Sequence, residues 1–312
     1  MISGFVISYT LARTPSFRNF CLNRFSRLFP AMLFCSLLTY GGICLLDRPT
    51  TFPYGHELCN LLPGFTFVNP QLWWMLGGHQ FHWINGSYWT LWTEVQFYLF
   101  ASVIYYLNKR QFFRNLLLGG ITMAWLKYLP GYFLNNYPDA AARTGLDGFL
   151  RNWRYADELF NLCFFIGWFL LGTLFWSLHE IGMTKLWRFF FALVLAGVTK
   201  DSFNYFPTIA WPLCAGLALF CGVFSWMIFR APVSVPGSFF FRRIGIISYS
   251  MYLIHEEIGL LLINHFHHLL GGLSCLAPFL IIGLAAGFAE LSYRWYERYL
   301  TKALRRWLSA TL

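Results

Sequence analysis

Charge is scarce in this sequence. Asp, Glu, Lys and Arg supply 12% of its 312 residues, against about a quarter in a soluble globular domain. That shortage excludes a disordered segment, a coiled coil and an ordinary water-soluble enzyme. Cysteine pairing signals are also lacking. None of the eight cysteines stands in a C-x-x-C spacing, and most fall in apolar runs, where a free thiol behaves as a small hydrophobe. No disulfide framework is expected. The N-terminus has neither the charged start nor the cleavage site of a signal peptide. No internal repeat, Ser/Gly linker or low-complexity tract divides the chain, so residues 1–312 are expected to form a single domain.

What the chain has in quantity is apolar and aromatic surface. Hydrophobic residues make up 57% and aromatics 21%, with 35 Phe, 17 Tyr and 14 Trp, and the mean hydropathy is +0.51. Apolar runs approaching the roughly 20 residues needed to cross a bilayer lie at Leu28–Leu46, Gly86–Leu107, Leu116–Leu134, Glu158–Leu178, Pro207–Phe229, Ile244–Asn264 and Leu273–Tyr293, with shorter ones at Ser3–Leu11 and Phe189–Thr199. A backbone in lipid must satisfy its own hydrogen bonds, so each run is expected to be helical. The fold class is therefore all-α, a polytopic transmembrane helix bundle of about nine helical segments.

The net charge of +10 would suggest nucleic acid in a soluble protein. Here the basic residues collect on one side of the alternating spans. Arg18, Arg24, Arg27, Arg110, Arg242 and Arg305 are among them, whereas Arg48, Lys127, Arg143, Arg151, Arg154 and Lys200 fall on the other side. The positive-inside rule places the first group and the C-terminus in the cytoplasm. The expected partner is the lipid bilayer, with no nucleic acid.

Ionisable groups inside spans are costly and mark candidate sites. Glu94, Glu256, Glu257, Glu290 and His255 are such groups. At 1.5 Å per residue, Glu94 lies roughly 12 Å below the outer end of its helix and His255 roughly 16 Å above the inner end of its own. Both then sit near the midplane, where a carboxylate could orient an imidazole as an acid/base pair. The competing reading is a buried hydrogen bond that only joins two helices. Thr90, Glu94 and Phe97/Tyr98 share one helical face, and Ser248, Tyr252 and His255 form a second polar stripe. Trp89, Tyr249 and Glu297 accompany these groups as candidate cavity-lining residues. Arg24 and Arg27, three apart, could hold a phosphorylated donor or simply anchor a helix to anionic head groups. Histidines pair in His79-Gln80-Phe81-His82 and cluster in His265-Phe266-His267-His268. That spacing is common by chance and no neighbouring carboxylate or cysteine completes a ligand set, so no metal is expected.

Five segments, in order, carry a family resemblance. Ser3-Gly4-Phe5-Val6-Ile7, Asn23-Arg24-Phe25-Ser26-Arg27-Leu28-Phe29-Pro30, Trp89 to Tyr98, Gly245 to His255, and Leu291-Ser292-Tyr293-Arg294-Trp295-Tyr296-Glu297 resemble the motifs of the acyltransferase family 3 integral membrane proteins. These O-acylate surface polysaccharides and related glycans. The resemblance covers essentially the whole chain, read as a single integral membrane acyltransferase-like domain. It departs at Tyr299, where the family has Pro. It also implies that the sequence begins at the second of the family's ten helices, through a misassigned start codon or a truncated gene; the first helix carries an Arg and a His thought to act in catalysis. The resemblance implies transfer of an acyl group, commonly acetyl, from cytoplasmic acyl-CoA to a sugar hydroxyl of a carbohydrate or glycolipid acceptor, in a bacterial inner membrane. His255 and Glu94 would be catalytic, and Arg24 and Arg27 would bind the donor. No bound cofactor is implied; acyl-CoA enters as co-substrate. The alternatives are a transporter or flippase for a lipid-linked sugar, and a non-catalytic acyltransferase remnant. Against the transporter, the sequence shows no inverted repeat and no pair of corresponding broken helices.

Overall fold

The structure is a computed structural model and describes residues 1–47, 51–137, 159–229, 238–270 and 275–311, together with 143, 145 and 148; the side chains of 238, 267–270 and 311 lie outside the description. Arg48, Arg151, Arg154, Glu158, Arg230 and Leu273, and the side chains of His267 and His268, are thus outside the described residues.

Every regular element among the described residues is helical, which is the all-α class expected. In chain order these are α1 (Ile2–Arg13), α2 (Phe17–Leu46), α3 (Leu61–Thr66), α4 (Pro70–Gly77), α5 (Trp89–Leu107), α6 (Phe112–Leu126), α7 (Leu129–Asn136), α8 (Leu162–Ile181), α9 (Lys185–Tyr205), α10 (Ala210–Phe229), α11 (Ser238–Ile254), α12 (Glu257–Leu270), α13 (Ala277–Ser292) and α14 (Arg298–Thr311). Short 3₁₀ turns at Pro53–His56, Leu58–Asn60, Gly86–Tyr88, Lys109–Gln111 and Pro207–Ile209 and a π-helical turn at Tyr293–Glu297 accompany them.

The helix count differs from the nine segments read in the sequence, for identifiable reasons. The run Leu116–Leu134 divides into α6 and α7 because Pro130 stands in the first turn of α7, where its missing N–H and fixed φ suit a helix start and not a helix interior. The run Ile244–Asn264 divides at His255 and Glu256, with the two halves bent by 66°. Among the described residues α2, α8 and the Pro207–Phe229 segment containing α10 are long and apolar enough to cross a membrane, and the bent pair α11/α12 makes a fourth if taken as one span. Helix α9 is 21 residues long but carries Lys185, Arg188, Lys200 and Asp201. Between α2 and α5 the chain forms short helices that apolar periodicity does not reveal.

The chain divides into two compact units, Met1–Phe20 with Thr93–Ser234, and Cys21–Trp92 with Val235–Leu312. In the first unit α8 is the central helix, buried continuously from Phe169 to Leu178. Helices α1, α6 and α9 pack on it. The approach of α1 is close enough to require glycine: a Cβ on Gly4 would lie 2.0 Å from the Phe169 carbonyl oxygen, and one on Gly172 would lie 1.9 Å from the Met1 carbonyl oxygen. The Ser8 hydroxyl donates to Thr173 Oγ1 across the same seam at 3.1 Å. Small residues that let backbones approach are how helices associate where lipid removes the hydrophobic drive. At the far side of the unit α10 is almost entirely unburied, exposing Trp211, Leu219, Phe220, Trp226, Met227 and Phe229. An apolar surface of that extent suits hydrocarbon, not water.

In the second unit α11 packs on α13, and α13 on α12. The Arg243 guanidinium grips the Glu290 carboxylate with two nitrogens, the Nε contact being 2.7 Å, and Arg294 joins from the next turn. Glu290, one of the carboxylates expected to mark a site, is therefore the centre of a double ion pair between α11 and the end of α13.

Candidate active site

His255 lies where α11 ends. Its backbone N–H still donates to the Met251 carbonyl at 3.1 Å, but the helix does not continue through Glu256. Breaking a helix frees backbone groups, and in an apolar setting these need new partners. The turn before α5 supplies one such partner and also holds the Glu257 side chain. The buried Asn85 side chain donates from Nδ2 to the Leu253 carbonyl at 3.0 Å, and the Gly86 N–H donates to Glu257 Oε1 at 2.5 Å. Asn85 Oδ1 also accepts from the Ser87 N–H and hydroxyl at 3.0 and 2.6 Å, fixing its rotamer. Asn85→Ala is expected to destabilise the chain by about 1–3 kcal/mol, the cost of leaving a buried carbonyl unsatisfied. Thermal unfolding of the detergent-solubilised protein measures it, and an unchanged midpoint would remove Asn85 from this role.

The break shapes the histidine. The ring Nδ1 is 2.7 Å from the Tyr252 carbonyl oxygen. A carbonyl can only accept, so Nδ1 carries the proton, and in the neutral ring the lone pair is on Nε2. His255 is exposed, which leaves Nε2 open to a ligand. Tyr252 is held in turn: its hydroxyl pairs with that of Thr90 at 2.6 Å, and both lie 3.0 Å from the Ser87 carbonyl. Thus two members of the polar stripe, Tyr252 and His255, join with Ser87 and Thr90. Ser248 does not: it is exposed and donates to the Gly245 carbonyl of its own helix. The depth assigned to His255 from the sequence assumed one straight helix. The residue lies instead at the 66° bend.

Glu94, in the first unit, is half-buried, and both its oxygens are engaged. Ser3 donates to Oε1 at 2.5 Å and Tyr98 donates to Oε2 at 2.6 Å. The i, i+4 relation placed Tyr98 in the sequence reading; Ser3, 91 residues away, left no such signal.

The remaining candidates distribute as follows. Arg24 and Arg27 lie in the first third of the 30-residue α2. Three residues advance a helix by most of a turn, yet Arg24 is buried and Arg27 is exposed. Trp89 opens α5 and is about a third exposed. The Tyr249 hydroxyl reaches the Leu28 carbonyl of α2 at 3.4 Å. Glu297 is buried, and its Oε1 accepts from Ser250 at 2.7 Å and from Ser292 at 2.5 Å. Ser292 and Glu297 are five apart, the hydrogen-bond span of the π-helical turn they bracket. Sequence reading missed Ser292 because a straight α-helix would turn it and Glu297 to different faces, and Ser250 because it lies 47 residues away on another helix. It also missed the pairing of Lys127 Nζ with Asp201 Oδ2 at 2.5 Å, where the Lys127 side chain is 1% exposed and Tyr128 donates to the same carboxylate. These three residues tie the end of α6 to α9, beside a cavity of about 180 Å³ that Tyr128 and Asp201 line.

No solved structure matches the chain. One curated relative is an O-acetyl transferase of Shigella phage Sf6, 34% identical over 105 residues, which is 33% of this chain and 31% of that protein. The chain thus spans about a third of the length of the relative it matches. A family model described as an acyltransferase domain matches residues 1–290. With that match covering most of its length and several long apolar helices among the described residues, the chain is an integral membrane protein and belongs to this acyltransferase family.

Proposed function

We propose that the protein is a membrane-bound O-acyltransferase that transfers an acyl group, acetyl in the first instance, from acyl-CoA to a hydroxyl of a cell-surface or exported glycan. Family membership and the O-acetyl transferase name of the phage relative support the reaction class. The observation that carries the reading is the state of His255: Nδ1 committed to the Tyr252 carbonyl and Nε2 open. In the proposed step Nε2 takes the proton of the acceptor hydroxyl as its oxygen bonds to the thioester carbonyl carbon. The tetrahedral oxyanion then collapses, the carbon–sulfur bond breaks, and the imidazolium returns the proton to the departing CoA thiolate. Glu94, held by two hydroxyls in the first unit, is a separate candidate that its own variant tests.

Purified protein in liposomes, supplied with radiolabelled acetyl-CoA and a lipid-linked or free oligosaccharide, is expected to label the sugar. Sugar crossing the bilayer without label would favour a transporter. Transporter sites use corresponding broken helices in two halves; among the described residues one helix pair is bent in this way.

Arg24 and Arg27 are the proposed contacts for the donor phosphates. Because Arg24 is buried, its removal mixes binding with folding, and Arg27→Ala is the cleaner test. Loss of one charge-assisted hydrogen bond is expected to weaken acyl-CoA binding by about 1.5–3 kcal/mol. Unchanged affinity would leave Arg27 as a lipid anchor. The proposed setting is a bacterial inner membrane with the C-terminus in the cytoplasm, supported by the distribution of basic residues. Reporter fusions after Asn108 and after Arg306 are both expected to give the cytoplasmic signal, and an external signal at either would reverse the topology.

A further inference from the structure

The segment between α2 and α5 brings together three side chains of metal-ligating type. Glu57, Cys59 and His79 each offer one donor atom, and these atoms all lie within 4.8 Å of one another. Cys59 Sγ is 3.4 Å from His79 Nε2 and 3.7 Å from Glu57 Oε2. A tetrahedral zinc ion with bonds of about 2.3 Å to sulfur and about 2.0–2.2 Å to nitrogen or oxygen holds such donors roughly 3.5 Å apart. These two edges therefore match a site that needs little movement to close on a metal. The sequence reading found no carboxylate or cysteine to complete a set around His79 because Glu57 and Cys59 lie some twenty residues upstream. The turns of this segment bring them back.

A supporting shell is present. Asn60 is fully buried, and its Nδ2 donates to Glu57 Oε2 at 3.3 Å and to the Tyr54 carbonyl at 2.8 Å. Its Oδ1 accepts the His82 N–H at 2.8 Å. One buried amide thus orients a ligand carboxylate and holds the chain three residues beyond the ligand histidine. The His82 ring stacks on Tyr54 with centroids 3.7 Å apart, so His82 packs against that aromatic while His79 completes the cluster. Partners that orient ligands in this way are what built metal sites have.

We propose that Glu57, Cys59 and His79 bind a divalent transition-metal ion of zinc's borderline-soft class, with the fourth position open to water. The ion fastens the Pro53–Asn60 turns to the chain leaving α4 at Gly78. One thiolate, one imidazole and one carboxylate suit zinc over calcium or magnesium, which take oxygen ligands. This inference is independent of the acyl-transfer reading, and either can fail alone.

The test uses metal-stripped, full-length protein in detergent. Titration with Co²⁺ is expected to give a thiolate-to-cobalt charge-transfer band that saturates near one equivalent and disappears on adding Zn²⁺. The band is expected to vanish in Cys59→Ser, and His79→Gln is expected to weaken binding by at least about tenfold. No band in the parent protein, or an undiminished band in Cys59→Ser, overturns the proposal. A second measurement needs no variant. Zn²⁺ is expected to slow maleimide modification of Cys59 at least about tenfold, read by peptide mass spectrometry, while the exposed Cys275 reacts at an unchanged rate. Equal Cys59 rates with and without Zn²⁺ overturn it.

Discussion

His255→Gln is expected to lower acyl transfer at least about 100-fold while leaving the yield of folded protein near that of the parent. A general base contributes about 10²–10⁴ to a rate, and Gln offers no basic nitrogen to take the acceptor's proton. The fold should tolerate the change because the ring is exposed and its Nδ1 bonds the Tyr252 carbonyl, three residues back in the preceding turn. A glutamine amide N–H can still donate to that carbonyl, so the helix end keeps its partner. The readout must be both transfer and monodisperse yield, since removing a buried polar partner can destabilise a protein without touching chemistry. Normal transfer in a well-folded His255→Gln protein would eliminate this residue as the base. Glu94→Gln is the companion: Ser3 and Tyr98 can still donate to the amide oxygen but only one oxygen remains. Loss of rate with retained yield would support its role in the reaction.

Gly4→Val and Gly172→Val are expected to abolish the folded protein. The gaps of 2.0 and 1.9 Å to backbone oxygens are far below any van der Waals contact, and a backbone carbonyl has no rotamer to escape into. Helices α1 and α8 would have to separate by more than an ångström. That separation would undo the Ser8–Thr173 hydrogen bond and loosen Ile7 and Leu11, which are fully buried in this unit. Overpacking in a tight core costs about 1–3 kcal/mol and at times more. Here two helix backbones must shift together, so the upper end applies. Gly197→Ala on α9 is the control, since a Cβ there meets nothing within 4 Å, and Ala favours a helix by about 1 kcal/mol over Gly. Parent-like yields of the two valine variants, measured by size exclusion in detergent, would show that the seam can open.

The sequence by itself determined the membrane class, the helical content and most of the segments that became helices. Low charge, long apolar runs and the backbone's need to bond internally in lipid leave few alternatives. It also pointed to Glu94, Tyr98, Tyr252 and His255, because ionisable and polar residues stand out against an apolar background. What a residue's neighbours are was a different matter. Hydropathy runs unbroken enough across His255 to read as one helix; the break depends on Asn85 and Gly86, 168 and 171 residues away from the groups they satisfy. Ser3 on Glu94 and Ser250 on Glu297 are likewise distant in sequence. Glycine in the Ser3-Gly4-Phe5 segment was visible, but its reason is the Phe169 carbonyl on another helix. The cluster of Glu57, Cys59 and His79 was assembled by turns without periodicity. Apolar burial is a property of composition and can be summed along a chain. Hydrogen bonds and ligand sets are directional contacts between specific atoms, and only the tertiary structure decides which atoms meet.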